Sequence, residues 1–362
     1  MSAMSQAESA SATPRSRRHF MAAVLWRTRL VSLAALLRSA LRRDLRILAY
    51  HRVLNIDDED AFEFDLDLVS ASARQFREQM EWIRRHYSPI RFRDVIEAWE
   101  QGRSLPPRPV IVTFDDGYDD NYRIAFPILR ELGVPATFFV STGHIDSARV
   151  FAYDWLVHML LRTGATRLRI EELQIDEVLP DSRRQRRSVA ARLLDRMKWL
   201  DADAQSTVIE RLEREWAMPR APGHPDCRPM SWDELREMQA AGMEIGSHGI
   251  WHNMLAKLPS LAMHAEVAGS KAALDRELER DVEVISYPVG GQDAYDEAVI
   301  EAARESGFRL GCSYVAGTSP VPRQPEFELR RLPIERHMDQ AWFASLLGIP
   351  EAFTYPSRRR IG

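Results

Sequence analysis

Val110-Ile111-Val112-Thr113-Phe114-Asp115-Asp116-Gly117 is the stretch of this 362-residue chain that decides its fold. Its first five residues are apolar or β-branched, which predicts a short buried strand, and that strand runs into two adjacent carboxylates. Similar runs bring the predicted strands to seven: Arg46–His51, Val110–Phe114, Ala136–Ser141, Met243–Ser247, Val282–Tyr287, Gly311–Tyr314 and Arg331–Ile334. Helical patterns lie between them, such as Ala73–Arg85, Tyr122–Leu132, Trp232–Ala241, Leu261–Leu278 and Ala294–Glu305. Strand–helix alternation predicts an α/β fold with a parallel sheet, and about seven strands favour an irregular (β/α)7 TIM-like barrel.

The chain is predicted to have three parts. Residues 1–45 form a basic amphipathic N-terminal segment, residues 46–345 form the barrel, and residues 346–362 form a C-terminal tail. Between about residues 151 and 228 the alternation stops, and long helical patterns replace it. We interpret this stretch as a mostly helical insertion between two barrel units, either a packing appendage or a contributor to substrate choice.

The composition is that of a globular protein, with 45% apolar and 28% charged residues. A formal net charge of −4 argues against nucleic acid as a partner. The two cysteines, Cys227 and Cys312, exclude a framework of several disulfides and a Cys-x-x-Cys zinc site. Two buried thiols are expected, with a single bridge as the alternative. None of these numbers predicts an oligomeric state.

The N-terminal segment has its own charge pattern. Eight arginines and no acidic residue occur between Arg15 and Arg43. A helix here would carry one stripe of leucines and an adjacent face of arginines: Leu30, Leu33, Leu37 and Leu41, then Arg27, Arg38 and Arg42. A basic amphipathic helix of this kind can lie on an anionic membrane surface, which predicts peripheral membrane contact through residues 19–43. The alternative is a helix that packs its leucines against the barrel.

The same segment bears on localisation. Ser16-Arg17-Arg18-His19-Phe20 looks like a twin-arginine export signal. However, Arg27 and Arg29 interrupt the apolar stretch, and no small-residue cleavage site follows. We therefore expect a cytoplasmic protein peripheral to the inner membrane, with export by the twin-arginine-like signal as the alternative. No run approaches the roughly 20 apolar residues of a membrane-spanning helix.

Chemistry-bearing residues follow three of the predicted strands. Asp115 and Asp116 stand at the C-terminal end of a strand, where barrel enzymes build their sites, although Asp-Asp-Gly is also an ordinary turn. His248 and His252 follow another strand at a spacing suited to one metal ion. Ser286-Tyr287-Pro288-Val289-Gly290-Gly291 follows a third and can present backbone N–H groups to a ligand. An Asp pair and a His-x3-His pair at strand ends of one barrel together predict a metal site.

These three elements, in this order, resemble the polysaccharide deacetylases of carbohydrate esterase family 4. Thr113-Phe114-Asp115-Asp116-Gly117 is similar to the first motif of that family, and Ser247-His248 through His252 to its histidine motif. Leu48-Ala49-Tyr50-His51-Arg52-Val53 looks like the opening of members whose last strand has moved to the N-terminus, as in poly-N-acetylglucosamine deacetylases. The resemblance covers about residues 46 to 345. It implies a hydrolase that removes N-acetyl groups from the N-acetylhexosamine units of a glycan.

The resemblance also implies roles for the residues. Asp115 would be the general base, and Asp116, His248 and His252 would bind a divalent metal, Zn²⁺ first and Co²⁺, Mn²⁺ or Ni²⁺ as alternatives. Two imidazoles and one carboxylate leave positions on such an ion open for water and for the acetyl carbonyl. The Val289 backbone N–H would meet the oxyanion.

Two parts of the family pattern are missing from this sequence. The late Leu-x-His motif that supplies the general acid is absent, so His51 becomes the first candidate for the acid and His337 the second. Ser286 occupies the position of the arginine that orients the base, and Arg331 is the candidate replacement. These departures leave two alternatives open: a non-catalytic carbohydrate-binding relative, and an amidohydrolase acting on small non-peptide amides.

Overall fold

A computed structural model describes residues 17–28, 30–147, 149–220, 223–321 and 326–354 of the chain. Seven parallel strands form its centre: β1 (Asp44–Tyr50), β2 (Pro109–Phe114), β3 (Thr137–Val140), β4 (Glu244–Ser247), β5 (Val284–Ser286), β6 (Leu310–Ala316) and β7 (Leu329–Pro333). Each strand pairs with the next along the chain, and β7 pairs with β1, so the sheet closes into a barrel. The prediction of an irregular seven-stranded TIM-like barrel is therefore confirmed.

Thirteen α-helices lie among the described residues: α1 (Arg17–Arg27), α2 (Leu30–Leu41), α3 (Ala73–His86), α4 (Phe92–Glu100), α5 (Phe126–Leu132), α6 (Ala152–Arg162), α7 (Arg183–Met197), α8 (Ala202–Glu215), α9 (Trp232–Ala240), α10 (Ser260–Leu278), α11 (Glu297–Glu305), α12 (Gln340–Gly348) and α13 (Pro350–Phe353). Short strands Arg52–Val53 and Val69–Ala71 pair with each other, Ser88–Pro89 pairs with β2, and Ser319–Pro320 pairs with β1. None of the helices in the described part of the chain is both long and apolar enough to cross a membrane.

Alternate residues of the barrel strands supply two different cores. Leu48, Val112 and Phe138 pack outward against the surrounding helices. Their neighbours Ile47, Ile111 and Phe139 join a second cluster that fills the barrel interior, together with Leu310, Cys312 and Leu329. Residues of α4, beginning with Phe92, close the bottom of that cluster. Full burial of a large apolar side chain stabilises the fold by roughly 1.5–3 kcal/mol, so these strands are fixed by side chains on both faces.

The insertion between β3 and β4 has a hydrophobic core of its own, built from α6, α7 and α8 together with residues such as Phe62, Phe64 and Cys227. It also contains an antiparallel hairpin, Arg167–Ile170 paired with Ile175–Val178, which a mostly helical prediction did not include. The hairpin was missed because Arg167–Ile170 alternates exposed and buried residues over four positions, too few to define a period.

The structure adjusts two further predictions and confirms a third. The N-terminal segment forms two helices rather than one, and Ser16 of the twin-arginine-like motif lies outside the described residues. The predicted helix Ala294–Glu305 begins at Glu297, because Asp296 accepts a hydrogen bond from the Val299 N–H and caps it. Both cysteines are free and buried, as expected.

Candidate active site

The candidate site residues lie at one end of the barrel. Each of six follows the C-terminal end of a strand, namely His51 after β1, Asp115 and Asp116 after β2, His248 and His252 after β4, and Val289 after β5. The seventh, Arg331, belongs to β7. Because parallel strands point the same way, their C-terminal ends share one rim, and residues far apart in the sequence meet there.

Asp116, His248 and His252 converge on one point. Asp116 Oδ1 lies 3.5 Å from His248 Nε2 and 3.1 Å from His252 Nε2, and one ligand atom from each residue lies within 4.8 Å of the other two. Donors about 2.1 Å from a tetrahedral Zn²⁺ lie about 3.4 Å apart, so the spacing fits a single ion. The donor set suits Zn²⁺ and related divalent metals.

The hydrogen-bond partner of His248 fixes its tautomer. His248 Nδ1 lies 2.7 Å from the Ser286 carbonyl oxygen, which can only accept a hydrogen bond. The proton of the neutral ring therefore sits on Nδ1, and Nε2 points its lone pair towards Asp116. His252 Nδ1 is buried and has no hydrogen-bond partner among the described residues.

Three of the candidate residues hold unusual backbone conformations. Asp116, His252 and Val289 have φ angles of 77°, 61° and 62°. Positive φ is uncommon outside glycine, and for a β-branched valine it is a marked strain. Such strain persists where surrounding structure holds a residue in place, and it clusters at functional sites.

The electrostatics of the triad are set by its burial and its mutual charges. Burial alone would raise the pKa of Asp116, but opposing effects, the charge of His252 foremost, hold this pKa well below its usual range. Burial would likewise lower the pKa of His252, yet the Asp116 carboxylate outweighs that effect and raises it. The triad therefore holds an ionised carboxylate with two imidazoles at the rim.

Asp115 is held by Arg331 across the barrel interior. Arg331 Nη1 donates to Asp115 Oδ1 at 2.7 Å and Nη2 to Oδ2 at 2.8 Å, a bidentate pair that is fully buried. The guanidinium also donates to the Ser286 hydroxyl at 2.9 Å and to the Ser313 carbonyl at 2.9 Å. Burial opposes ionisation of Asp115, but Arg331 and His248 together lower its pKa.

The two candidate acids occupy different places. Burial lowers the pKa of His51, and the charges of Asp116 and Asp115 offset part of that shift. The ring of His51 also lies 5.5 Å from that of Tyr314. His337 instead packs beside His19 and Trp342, at ring distances of 6.2 and 5.4 Å, and its Nδ1 lies 3.3 Å from Glu335. Only His51 is brought to the rim with the aspartates.

A buried carboxylate that the sequence analysis did not single out supports the histidine loop. Glu266 of α10 accepts hydrogen bonds from the Ile250 N–H at 2.7 Å, the Trp251 N–H at 3.1 Å and the Asn253 side chain at 2.9 Å. Only 6% of Glu266 is exposed. The available signal was its position beside Val267 in the buried stripe of a helix, where an acidic side chain needs a buried partner.

A second cluster has the same donor types and lies outside this site. Glu63, His158 and His224 also place one ligand atom each within 4.8 Å of one another. Glu63 Oε2 lies 3.3 Å from His158 Nδ1 and 3.9 Å from His224 Nε2. It joins the loop after Arg52–Val53 to the insertion, and no sequence pattern linked its three members.

Comparisons with known proteins show which family the chain resembles. Residues 102–311 match the family model for polysaccharide deacetylase. YxkH of Bacillus subtilis (strain 168), provisionally named a polysaccharide deacetylase, is 21% identical over 275 residues, which cover 76% of this chain and 69% of that protein. The poly-β-1,6-N-acetyl-D-glucosamine N-deacetylase of Escherichia coli (strain K12) is 38% identical over 94 residues, or 26% of this chain and 14% of that protein.

A solved structure shares the fold. The Streptococcus pyogenes deacetylase PplD, in complex with acetate, superposes with a TM-score of 0.55 at 18% identity, covering 87% of this chain and 100% of that one. Because the family model matches more than half of the chain, and the matched segment carries the aspartate pair and both histidines, the protein belongs to the polysaccharide deacetylase family and is a deacetylase enzyme.

Proposed function

We propose that the protein removes N-acetyl groups from the N-acetylhexosamine units of a polysaccharide or glycolipid by metal-dependent hydrolysis. The observation that carries the proposal is the juxtaposition of an Asp–His–His triad with a second carboxylate held by a buried arginine. The name of the E. coli relative supports poly-β-1,6-N-acetyl-D-glucosamine as the first substrate to test.

Asp116, His248 and His252 would hold the divalent metal. When bound there, the ion would activate water and polarise the acetyl carbonyl. The His248 Nδ1–H bond to the Ser286 carbonyl keeps the ligating nitrogen unprotonated, and the Glu266 hydrogen bonds hold the loop that carries His252. Zn²⁺ suits the donor set best, with Co²⁺, Mn²⁺ and Ni²⁺ as alternatives.

Asp115 would be the general base. Its lowered pKa keeps it ionised at neutral pH, so it can take a proton from the attacking water. Arg331 would orient it, because two parallel hydrogen bonds fix the plane of the carboxylate. The family pattern has its orienting arginine at the position of Ser286, and in this chain Arg331 would take over that role. The Ser286 hydroxyl accepts a hydrogen bond from the Arg331 guanidinium.

His51 would protonate the leaving amine, and the Val289 N–H would stabilise the oxyanion. Burial lowers the pKa of His51, which makes its protonated form a stronger acid. The strained backbone of Val289 fixes the direction of its N–H, as preorganised oxyanion donors require. The partly exposed ring of Trp251, beside His252, offers an apolar face for a pyranose ring, whereas Tyr287 is buried and donates to the Phe327 carbonyl.

The test is acetate release from β-1,6-linked N-acetylglucosamine oligomers by the full chain. We expect release that a chelator abolishes, that Zn²⁺, Co²⁺ or Mn²⁺ restores, and that the Asp115→Asn variant lacks while still binding one ion. His51→Ala and His337→Ala, compared in parallel, identify the acid: we expect a large loss for the first and none for the second. Absence of release with every metal, despite one bound ion per chain, would reject the proposal for these oligomers.

A further inference from the structure

The two N-terminal helices α1 and α2 are docked on the barrel by one face. Ala22, Val31 and Ala35 are buried. Val31 packs closely against Gly348 of α12, because a Cβ atom added to Gly348 would lie 3.4 Å from the Val31 side chain. The His19 ring meets Trp342 edge-on at 4.4 Å. This inner face makes the helix pair a fixed part of the described structure.

Ion pairs hold the second helix in place. Arg38 donates to Asp44 at 2.6 Å and to Glu351 at 2.6 Å, and Arg42 pairs with Glu351 at 3.0 Å. Of the three arginines predicted to form one cationic face, Arg38 and Arg42 are therefore in ion pairs with other described residues, and Arg27 is not. Arg38 and Arg42 pair with acidic side chains of the body of the protein, so Asp44 and Glu351 offset their charges.

The outer face of the helix pair is apolar. Among the described residues eleven large hydrophobic side chains are exposed, and seven belong to this face: Phe20, Met21, Val24, Leu30, Leu33, Leu36 and Leu37. Phe20 is 68% exposed and Leu37 56%. The predicted leucine stripe therefore points away from the barrel at Leu30, Leu33 and Leu37, while the side chain of Leu41 lies outside the described residues. Packing of that stripe on the barrel, the alternative left open by the sequence, is wrong for these three residues.

The charged side chains that the helix pair itself contributes are all basic. Arg17, Arg27 and Arg43 are exposed and make no ion pair with other described residues. No acidic residue occurs between positions 15 and 43, although the whole chain has a net charge of −4. The first acidic neighbour, Asp44, is buried and paired with Arg38.

We propose that the outer face of α1 and α2 docks on an anionic phospholipid surface, with its apolar side chains in the interface and Arg17, Arg27 and Arg43 beside the headgroups. Helices of 11 and 12 residues are too short to span a bilayer, but they suit a position in its plane. The charge pattern favours lipid over a second copy of the chain. In a two-fold dimer on this face, arginines would meet arginines.

The first experiment is co-sedimentation of the full chain with vesicles of phosphatidylcholine alone or mixed with phosphatidylglycerol. We expect binding to the mixed vesicles only, reversed by high salt because screening weakens attraction to the headgroups. Equal binding to both vesicle types, or to neither, would overturn the proposal.

Paired variants locate the binding face. Leu33→Ser/Leu37→Ser removes two outward apolar side chains and should weaken binding by about tenfold or more. Its control is Leu261→Ser, at a leucine 86% exposed elsewhere on the surface, which should bind as wild type. Arg17→Gln/Arg27→Gln/Arg43→Gln should also lose about tenfold or more, whereas the charge-matched control Arg149→Gln/Arg184→Gln/Arg280→Gln should not. Identical sedimentation of the helix-pair variants and their controls would refute the assignment.

Two further measurements separate this proposal from its competitors. Light scattering should show the same mass for wild type and Leu33→Ser/Leu37→Ser; a dimer lost only in the variant would identify a second copy as the occupant instead. Acetate release from soluble oligomers should be unchanged in every variant of the helix pair. Failure of membrane docking would then leave the proposed reaction intact, and failure of the reaction would leave docking intact.

Discussion

Two clusters in this molecule present the same donors, a carboxylate and two imidazoles, in different electrostatic surroundings. At the barrel rim, Asp116 faces His248 and His252, and the nearby guanidinium of Arg331 is bound to Asp115 instead. In the insertion, Glu63 faces His158 and His224 through one oxygen, while its other oxygen lies 3.2 Å from Arg162 and 3.5 Å from Arg183. Among the described residues, Asp116 therefore pairs with no arginine or lysine, whereas Glu63 already pairs with two arginines.

The histidine tautomers differ as well. His248 Nδ1 donates to a carbonyl, which leaves Nε2 free to bind a metal. His224 Nδ1 accepts a hydrogen bond from the Asp226 N–H at 3.1 Å, so a neutral ring carries its proton on Nε2, the atom that faces Glu63. Residue types and spacing alone therefore do not define a metal site, because the partners of each donor decide whether a lone pair is available.

The largest expected effect follows from removing the rim carboxylate. Asp116→Asn should bind no stoichiometric metal and lose deacetylation by about a thousandfold or more, because the amide supplies no charge to the ion. Elemental analysis of the purified protein and acetate release measure the two losses. Glu63→Gln is the matched control, which should keep one ion and wild-type turnover. If Asp116→Asn kept the ion, the conclusion that the rim cluster binds the metal and the Glu63 cluster does not would be wrong.

Removing the arginine that pairs with the neighbouring aspartate should separate metal binding from chemistry. Arg331→Met should keep the ion but lower kcat by about a hundredfold, since Asp115 loses its orientation. It should also cost about 3–5 kcal/mol of folding free energy, because a buried carboxylate is left unpaired.

The double variant Arg331→Met/Asp115→Asn distinguishes these effects. It removes the uncompensated charge, so much of the lost stability should return in denaturant unfolding, while acetate release should be lost together with the base. Equal instability of the single and double variants would mean that Arg331 acts through packing rather than through its pairing with Asp115.

Most of the barrel and the rim could be predicted from sequence, and the second cluster could not. The seven strands are indicated by buried apolar runs, and three of these runs, β1, β2 and β4, lead directly into the histidine or aspartate residues of the rim. The role of Arg331 could be proposed only because Ser286 stands where the family pattern has an arginine. Its contact with Asp115 crosses the barrel between strands that are not neighbours. Glu63, His158 and His224 come together only through the packing of the insertion, which no local pattern encodes.

A smaller effect is expected from breaking the second cluster. Glu63→Gln leaves Arg162, Arg183 and two imidazoles without their shared carboxylate, and should lower the free energy of unfolding by about 1–2 kcal/mol. Arg162 is half exposed, so solvent compensates part of the loss. The readout is urea unfolding at neutral pH. Unchanged stability together with a lost ion would identify the cluster as a metal site and reverse the comparison.

The smallest and most discriminating effect concerns Arg162 and Arg183, whose positive charges we expect to keep a metal ion away from Glu63. Wild type should bind one Zn²⁺ ion per chain, whereas Arg162→Gln/Arg183→Gln should bind a second ion weakly, because Glu63 is released from both guanidinium groups. Binding at His224 Nε2 also requires its proton to move to Nδ1, which lies 4.0 Å from the Asp226 carboxylate. Titration with Zn²⁺ monitored by calorimetry, with the Glu63→Gln version of the double variant as control, resolves the second event. If the double variant binds only one ion, the tautomer of His224 rather than the arginine charge excludes the metal.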